Sequence, residues 1–364
     1  MPPLTDTAYR VAFSFVAGIG PIRMAALEQH FESLAEAWQA DRSALRAAGL
    51  DQRAMNELER RRAEIDPQAE LERVAALGLL AVSLHDPDYP RRLREVPDPP
   101  ALLYIRGSLS ERDEWSLAVV GTRRPTAYGR QVTRQLASEL ADTGLTIISG
   151  LARGVDAIAH ETALERGART VAVVAGGLDT VYPPEHKDLA NRIVEQGGAI
   201  VSEYPLGRTS RADHFPRRNR IIAGLTLGTL VTEASEKSGT WHTVNSALDY
   251  NREVFAVPGP ITSPQSSGAN QIIKTAHAKL VTCVEDIASE LQLGPVERQA
   301  TLTEQLPADP TEAKLLELIG PEPIHVDLLA RAADLPVHDV TAALATLELK
   351  GMIHEVGPLS YARR

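Results

Sequence analysis

Four short segments place glycine beside arginine, lysine or hydroxyl groups where an apolar run stops, an arrangement suited to holding anions. Gly121, Thr122, Arg123 and Arg124 follow Val119 and Val120; Ser149, Gly150 and Arg153 follow a second apolar run. Gly177 follows a third, with Lys187 a little further on, and Ser238, Gly239 and Thr240 open a helical pattern. At a strand end, glycine lets backbone N–H groups approach an anion, a helix N-terminus adds positive potential, and an arginine fork fits phosphate oxygens. One such loop is an ordinary cap. Several on one sheet edge suit a polyanion. A fifth segment, Phe215-Pro216-Arg217-Arg218-Asn219-Arg220, is densely basic and gives way at once to the apolar Ile221 and Ile222, which pins the charge at an element's start. Phe215 either stacks on a base or packs beneath the loop.

Groups for acid–base or covalent chemistry are sparser. Asp156 and His160 lie four apart, on one helical face, and Glu233 follows a strand, so a general base can be drawn. The stronger reading of the first pair is a local hydrogen bond, and of Glu233 a strand-end cap or an arginine partner. There is no G-x-S-x-G elbow, no G-x-G-x-x-G, no Walker A lysine and no H-E-x-x-H spacing, so hydrolase, dinucleotide, P-loop and metal chemistry all lose their best evidence. No cofactor and no metal is expected. The single cysteine, Cys283, can form neither an internal disulfide nor a thiolate cage and reads as a buried bystander.

The elements that position these loops follow from periodicity. Short apolar runs at 117–120, 146–148, 170–175, 199–201, 229–231 and 254–257 alternate with helical stretches such as 129–143 and 154–166. Continuous apolar runs suit strands buried on both faces, so the pattern is α/β with a doubly wound parallel sheet, whose ligands sit where strand C-terminal ends meet the next helix. Before it, residues 1–80 repeat apolar positions at helical spacing (Met24, Leu27, Phe31, Leu34, Trp38) and read as a helical domain. The proline-rich stretch 81–116 reads as a connector packed on the core, because proline cannot donate to a central sheet. The loop-bearing domain is then 117–293 and a linker 294–310; residues 311–364 read as three helices and a hairpin, a winged-helix-like pattern.

With 364 residues, 43% hydrophobic, the chain can bury full cores in two or three domains at about 150 residues each. Its charge, 38 − 48 = −10, argues against indiscriminate coating of nucleic acid or membrane and throws the weight onto local sites. The last 74 residues are themselves acidic, so the C-terminal domain is a poor major-groove reader and better suited to protein contacts. No apolar run approaches the roughly 18 residues of a membrane span, and the N-terminus lacks the order of a signal peptide; a cytoplasmic location is expected.

The ordered blocks Val120-Gly121-Thr122-Arg123, Ser149-Gly150-Leu151-Ala152-Arg153-Gly154 with Asp156 and His160, Gly177-Leu178-Asp179 with Tyr182-Pro183, Ser202-Glu203-Tyr204-Pro205, Phe215 to Gly224, and Phe255-Ala256-Val257-Pro258-Gly259 together resemble the DNA-processing protein A family (DprA, also called Smf). The resemblance implies an extended Rossmann-like core with an N-terminal sterile-alpha-motif-like domain and a C-terminal winged helix. It further implies a non-enzymatic mediator that binds single-stranded DNA, dimerises through the Rossmann-like domain and loads the RecA recombinase during natural transformation, with duplex DNA held more weakly and no membrane partner. Arg123, Arg124, Arg153, Lys187, Arg217, Arg218 and Arg220 would then supply positive charge to the strand. Gly121, Gly150, Gly177 and Gly239 would permit close backbone approach, with Thr122, Ser149, Asn219 and Thr240 as neutral donors. An arginine buried against Glu203 or Glu233 would look the same in sequence. Lys237, Trp241 and His242 around the Ser238-Gly239-Thr240 turn, and Glu185-His186 after Pro184, depart from the family's usual pattern. The competing enzyme reading is a Rossmann-type nucleotide phosphoribohydrolase built on Gly228, Thr229 and Glu233, whose motif here lacks its proline-glycine-glycine opening. A protein scaffold indifferent to DNA is the third class.

Overall fold

The computed structural model describes residues 6–293, 310–320, 324–349, 353–357 and 359–363. The chain forms two compact units that divide near residue 296.

The first unit opens with six helices, α1 (Asp6–Ser14), α2 (Pro21–His30), α3 (Leu34–Gln39), α4 (Arg42–Ala47), α5 (Gln52–Glu64) and α6 (Pro67–Ala76). Ser33, Asp41, Asp51 and Asp66 each accept a hydrogen bond from an amide of the first turn they precede, which satisfies donors a helix start leaves orphaned. Phe13 and Trp38 meet edge to face at 5.0 Å in the centre of this helical layer.

Two strands, β1 (Leu79–Ser83) and β2 (Leu102–Gly107), follow, flanking the one-turn helix α7 (Arg91–Arg94). The expected connector therefore contributes to the sheet: β2 pairs antiparallel with β1 on one side and with a later strand, Ala199–Ser202, on the other. The prolines lie between the strands, where no ladder needs their missing donors. The remaining elements are β3 (Ser116–Val120), α8 (Ala127–Asp142), β4 (Thr146–Ser149), α9 (Val155–Glu165), β5 (Thr170–Val173), α10 (Lys187–Glu195), β6 (Ala199–Ser202), α11 (His214–Leu225), β7 (Gly228–Val231), α12 (Thr240–Asp249), β8 (Glu253–Ala256), α13 (Ser267–Lys274), β9 (Lys279–Leu280) and α14 (Val284–Glu290). Cys283 precedes α14 and is half-buried rather than buried.

The nine strands run in the order β1-β2-β6-β5-β4-β3-β7-β8-β9, with β3 to β9 parallel. Alternate residues of β3 enter different cores. Ala118 and Val120 pack with Ile222 of α11, Val244 of α12 and Ile272 of α13, while Leu117 and Val119 pack with Leu136 of α8, Ala159 of α9 and Ile287 of α14. Helices thus cover both faces, and the sheet is an extended Rossmann-like α/β core. From β3 the chain winds outward through β4, β5 and β6, then returns to place β7 on β3's other side; the crevice at the C-terminal ends of β3 and β7 is the topological switch point.

The helical layer is pinned to this sheet. Val11 of α1 and Val74 of α6 share a core with Tyr104 of β2, and the Tyr104 hydroxyl lies 2.8 Å from Ser14 Oγ.

The second unit is a winged helix: α15 (Pro310–Leu318), β10 (Ile324–His325), α16 (Val326–Ala333), α17 (Val337–Leu349), β11 (Ile353–Gly357) and β12 (Ser360–Arg363), the strands in the order β10-β12-β11. Leu315, Leu329, Leu344 and Ile353 form its centre. The expected linker, 294–310, lies outside the described residues except for its last position. Among the described residues no helix is long and apolar enough to cross a membrane.

Candidate nucleic-acid interface

The switch point holds a cleft walled by the loop after β3 (Gly121, Thr122, Arg123, Arg124), the start of α11 (Phe215, Arg218, Asn219) and the start of α12 (Ser238, Gly239, Thr240, His242). A narrower crevice continues from it between Gly150, Arg153, Tyr182 and Phe215. Three arginines and one carboxylate, Asp156, line the main cleft. Arg123 and Arg124 are exposed, and neither makes an ion pair among the described residues. The Arg123 guanidinium lies 4.9 Å from the centre of the Phe215 ring, which in turn stands 5.9 Å from Tyr182. Cation, aromatic ring and exposed phenol are thus in one row, the set of contacts that holds both phosphates and bases of an unpaired strand.

The loops are held in shape by bonds that consume several of the expected binding groups. Glu233 is 2% exposed and spends both carboxylate oxygens on Thr126, accepting from its backbone N at 2.8 Å and its hydroxyl at 2.6 Å. Its carbonyl accepts from Thr122 N at 2.7 Å. A Cβ on Gly129 would stand 2.3 Å from Glu233 Oε2, so that glycine makes room for the carboxylate. Asp156 caps the β4–α9 turn, accepting from Gly150 N at 3.1 Å and Ala152 N at 3.3 Å. Burial pushes its carboxyl up, against the pull of Arg218. His160 makes no bond to Asp156; its Nδ1 lies 2.7 Å from Thr170 Oγ1, and burial drives its pKa down to about 3, which keeps the ring neutral. Each residue that suggested a general base thus bonds to the turn or strand beside it.

The basic block on α11 divides. Arg218 is 3% exposed and donates from Nη1 to the carbonyls of Gly150, at 2.6 Å, and Val173. Burial lowers its pKa to about 10, offset by the nearby Asp156. It lines the cleft floor as a structural strut, which corrects its reading as a free clamp. Arg220 turns to the other side of the helix, bonding Glu203 at 2.5 Å and Asp98 at 3.3 Å, and Arg217 faces that side as well. Neither reaches this cleft. Asn219 does, and its Nδ2 donates to Gly239 O at 3.3 Å, tying α11 to the α12 start.

Three further expectations are corrected. Ser149 is buried, with its hydroxyl given to Val119 O at 2.6 Å. Gly177 gives its N–H to Arg208 O at 2.8 Å and is crowded by Pro205 O, so it closes a turn instead of cradling an anion. Lys187, exposed at the head of α10, does not line the cleft. Arg153 does border the crevice, paired with Glu185 at 2.5 Å; with side chains 59% and 48% exposed, such a pair is held weakly and can exchange its partner for phosphate. Thr240 is buried and shares a hydrogen bond with Ser238, Oγ to Oγ1 2.8 Å. Tyr182, Ser210 and Gln265 also line the cleft and were not singled out as binding groups; Tyr182 alone carried a signal, as an aromatic beside Pro183 just past the Gly177 turn.

Comparison with known proteins agrees with this architecture. The family described as DNA recombination-mediator protein A matches residues 81–292, and the DprA winged helix domain matches residues 299–357. Protein Smf of Synechocystis is 34% identical over 99% of both chains, and Protein Smf of Escherichia coli is 42% identical over 76% of this chain and 75% of its own. The crystal structure of DNA processing protein A from Streptococcus pneumoniae superposes with a TM-score of 0.66 at 32% identity, covering 79% of this chain and 98% of that one. DNA processing protein A from Helicobacter pylori, whose structure was described for its single-stranded DNA binding mode, is 31% identical with a TM-score of 0.53, over 59% of this chain and 95% of that one. A switch-point cleft of arginine and aromatic groups, a matching core model and a relative aligned from end to end lead to one assignment: the chain belongs to the DNA recombination-mediator protein A (DprA/Smf) family.

Proposed function

We propose that the protein binds single-stranded DNA without sequence preference in the switch-point cleft and delivers it to the RecA recombinase during natural transformation and recombination. The observation that carries this reading is the row of Arg123, Phe215 and Tyr182 at the mouth of a cleft whose one acid is buried and capped. Every nucleotide offers a phosphate and a π-face, so such a row holds any sequence of a flexible strand, whereas a stacked duplex hides its bases. Gly121, Thr122, Arg124, Asn219, Gly239 and Thr240 complete the walls; Arg153 and Gly150 border the continuing crevice. In this reading the protein performs no chemical step, consistent with the structural employment of Glu233, Asp156 and His160.

The partners of this reading are a recombinase filament as recipient and a second copy of the chain through the Rossmann-like domain. The short edge strand β9, with Leu280 45% exposed, supports an edge of the sheet as the self-association surface. The location that fits such partners is the cytoplasm.

The decisive experiment is fluorescence anisotropy with labelled single-stranded and duplex oligonucleotides across a salt series, with mononucleotides as competitors. The expected result is a preference for the single strand, weakening steeply with salt and insensitive to mononucleotides. No binding, or displacement by a mononucleotide, overturns the reading.

A further inference from the structure

We propose that a second arginine-lined cleft, on the opposite side of α11 and walled by the N-terminal helical layer, carries the phosphodiester backbone of the same single strand beyond the switch-point site. The proposal rests on the single-strand reading above and extends its path.

Helical periodicity separates neighbours on α11. Phe215, Arg218 and Asn219 face the switch-point cleft, while His214, Arg217 and Arg220 face the second one. The preceding loop divides in the same way, with Ser210 and Ala212 on the first side and Arg208 and Arg211 on the second. The two clefts thus share a ridge one loop and one helix wide. The far wall of the second is the turn from Gly18 to Ile22 together with Arg53 of α5, and this wall is fixed because α1 is anchored to β2 by the Ser14–Tyr104 contact.

Charge accounting makes the second cleft positive. Six arginines (Arg10, Arg53, Arg208, Arg211, Arg217 and Arg220) line it against three acids, of which Glu203 and Asp98 share Arg220 and Asp213 pairs with Arg211 at 3.2 Å. Arg10 is likewise matched, by Glu28 at 2.9 Å. Arg53, Arg208 and Arg217 line the cleft with no ion-pair partner among the described residues. They come from three separate elements, α5, the 207–213 loop and α11. A single bound anion calls for convergent donors; cations dispersed along a trough match the repeating charge of a polymer. Ile22, 81% exposed at the rim, adds an apolar surface. A flexible chain bends across a ridge one helix wide at little cost. Duplex DNA, with a persistence length of about 150 base pairs, bends over such a short site only at a cost of about 1–6 kcal/mol, which favours the single strand.

The test uses the full chain and two oligothymidylates, one of about 6 nucleotides that fits a single cleft and one of about 20 that spans both. In the Arg53→Glu/Arg208→Glu double variant, affinity for the long strand is expected to fall about tenfold and the slope of log K against log salt to shrink by about 1.4, the share of two phosphate contacts, while the short strand binds as before. The Gln/Gln variant should show the same pattern more weakly, with unchanged thermal melting in both. Unaltered long-strand binding in the double variant overturns the second cleft and leaves the first untouched. An equal loss for both lengths also overturns it, since that marks a general field and not a continued path. Failure of the wild type to bind either strand strikes the underlying single-strand reading instead, and the second cleft falls with it.

Discussion

Arg218 Nη1 donates to the Gly150 carbonyl at 2.6 Å, and a Cβ built on Gly150 would stand 2.0 Å from that same nitrogen. The glycine of the β4–α9 turn therefore serves the arginine that crosses behind it, and the arginine fixes the turn that borders the crevice. Gly150→Ala is expected to lose about 1–3 kcal/mol, the usual cost of overpacking a rigid site. Arg218→Met should lose about 3 kcal/mol or more, because the carbonyls of Gly150 and Val173 lose a donor and Asp156 is left buried without its opposing charge. Chemical denaturation of both variants checks this. A fully stable Arg218→Met protein would show that the strut carries no weight.

Arg123 is the clean probe of binding, since it is exposed and makes no ion pair among the described residues. Arg123→Glu should leave the melting temperature within a degree or two and weaken single-strand affinity at least about tenfold, with a shallower salt dependence. Tyr182→Ala should cost about 1–3 kcal/mol of binding, the range for one base–aromatic stack, without altering the salt slope. Anisotropy at several salt concentrations separates the two effects. Equal salt slopes for wild type and Arg123→Glu would remove Arg123 from the phosphate path.

The contrast between Arg123 and Arg218 shows how far the sequence could be read. The parallel strands were legible because strands buried on both faces are continuous apolar runs, and each predicted run lies within a residue or two of its strand. β1 and β2 were less so: prolines between them suggested a connector, although Leu102, Leu103, Tyr104 and Ile105 already demanded burial. The switch-point loops were visible as glycine–arginine pairs, yet the fate of each arginine was not. A helix turns about 100° per residue, so Arg217, Arg218, Asn219 and Arg220, adjacent in sequence, face different surroundings. The partners of Arg218 and Arg220 (Gly150, Glu203, Asp98) lie 17 to 122 residues away in the chain, a distance that no local pattern reports.

His160 gives the protein an acid limit. Its ring stays neutral in the fold, with a pKa of about 3, whereas an unfolded histidine titrates near its model value of 6.5. As pH falls below 6.5 the unfolded chain takes up a proton that the native state refuses. Stability is thus lost as pH drops toward 3, with a slope of up to about 1.4 kcal/mol per pH unit from this one group. Urea unfolding of wild type between pH 7 and 5 should show the decline, and His160→Gln, which retains a bond to Thr170, should flatten it. An identical slope in both proteins would assign the acid limit to other groups.

Glu233 and Gly129 decide between architecture and catalysis. The carboxylate caps the β3–α8 turn through Thr126 and occupies the space a Gly129 side chain would need. Glu233→Ala is expected to cost about 2 kcal/mol, the loss of a cap and of a buried acceptor, and Gly129→Ala to cost a similar amount through the clash. In the double variant the methyl enters the vacated space, so the two losses should not add, giving a coupling of about 1–2 kcal/mol. A phosphoribohydrolase built on Glu233 predicts something different: release of free base from a nucleoside monophosphate by the wild type, abolished in Glu233→Gln. Measured together, strong coupling with no base release makes Glu233 a structural cap; additive losses with base release that Glu233→Gln abolishes would make the cleft an active site.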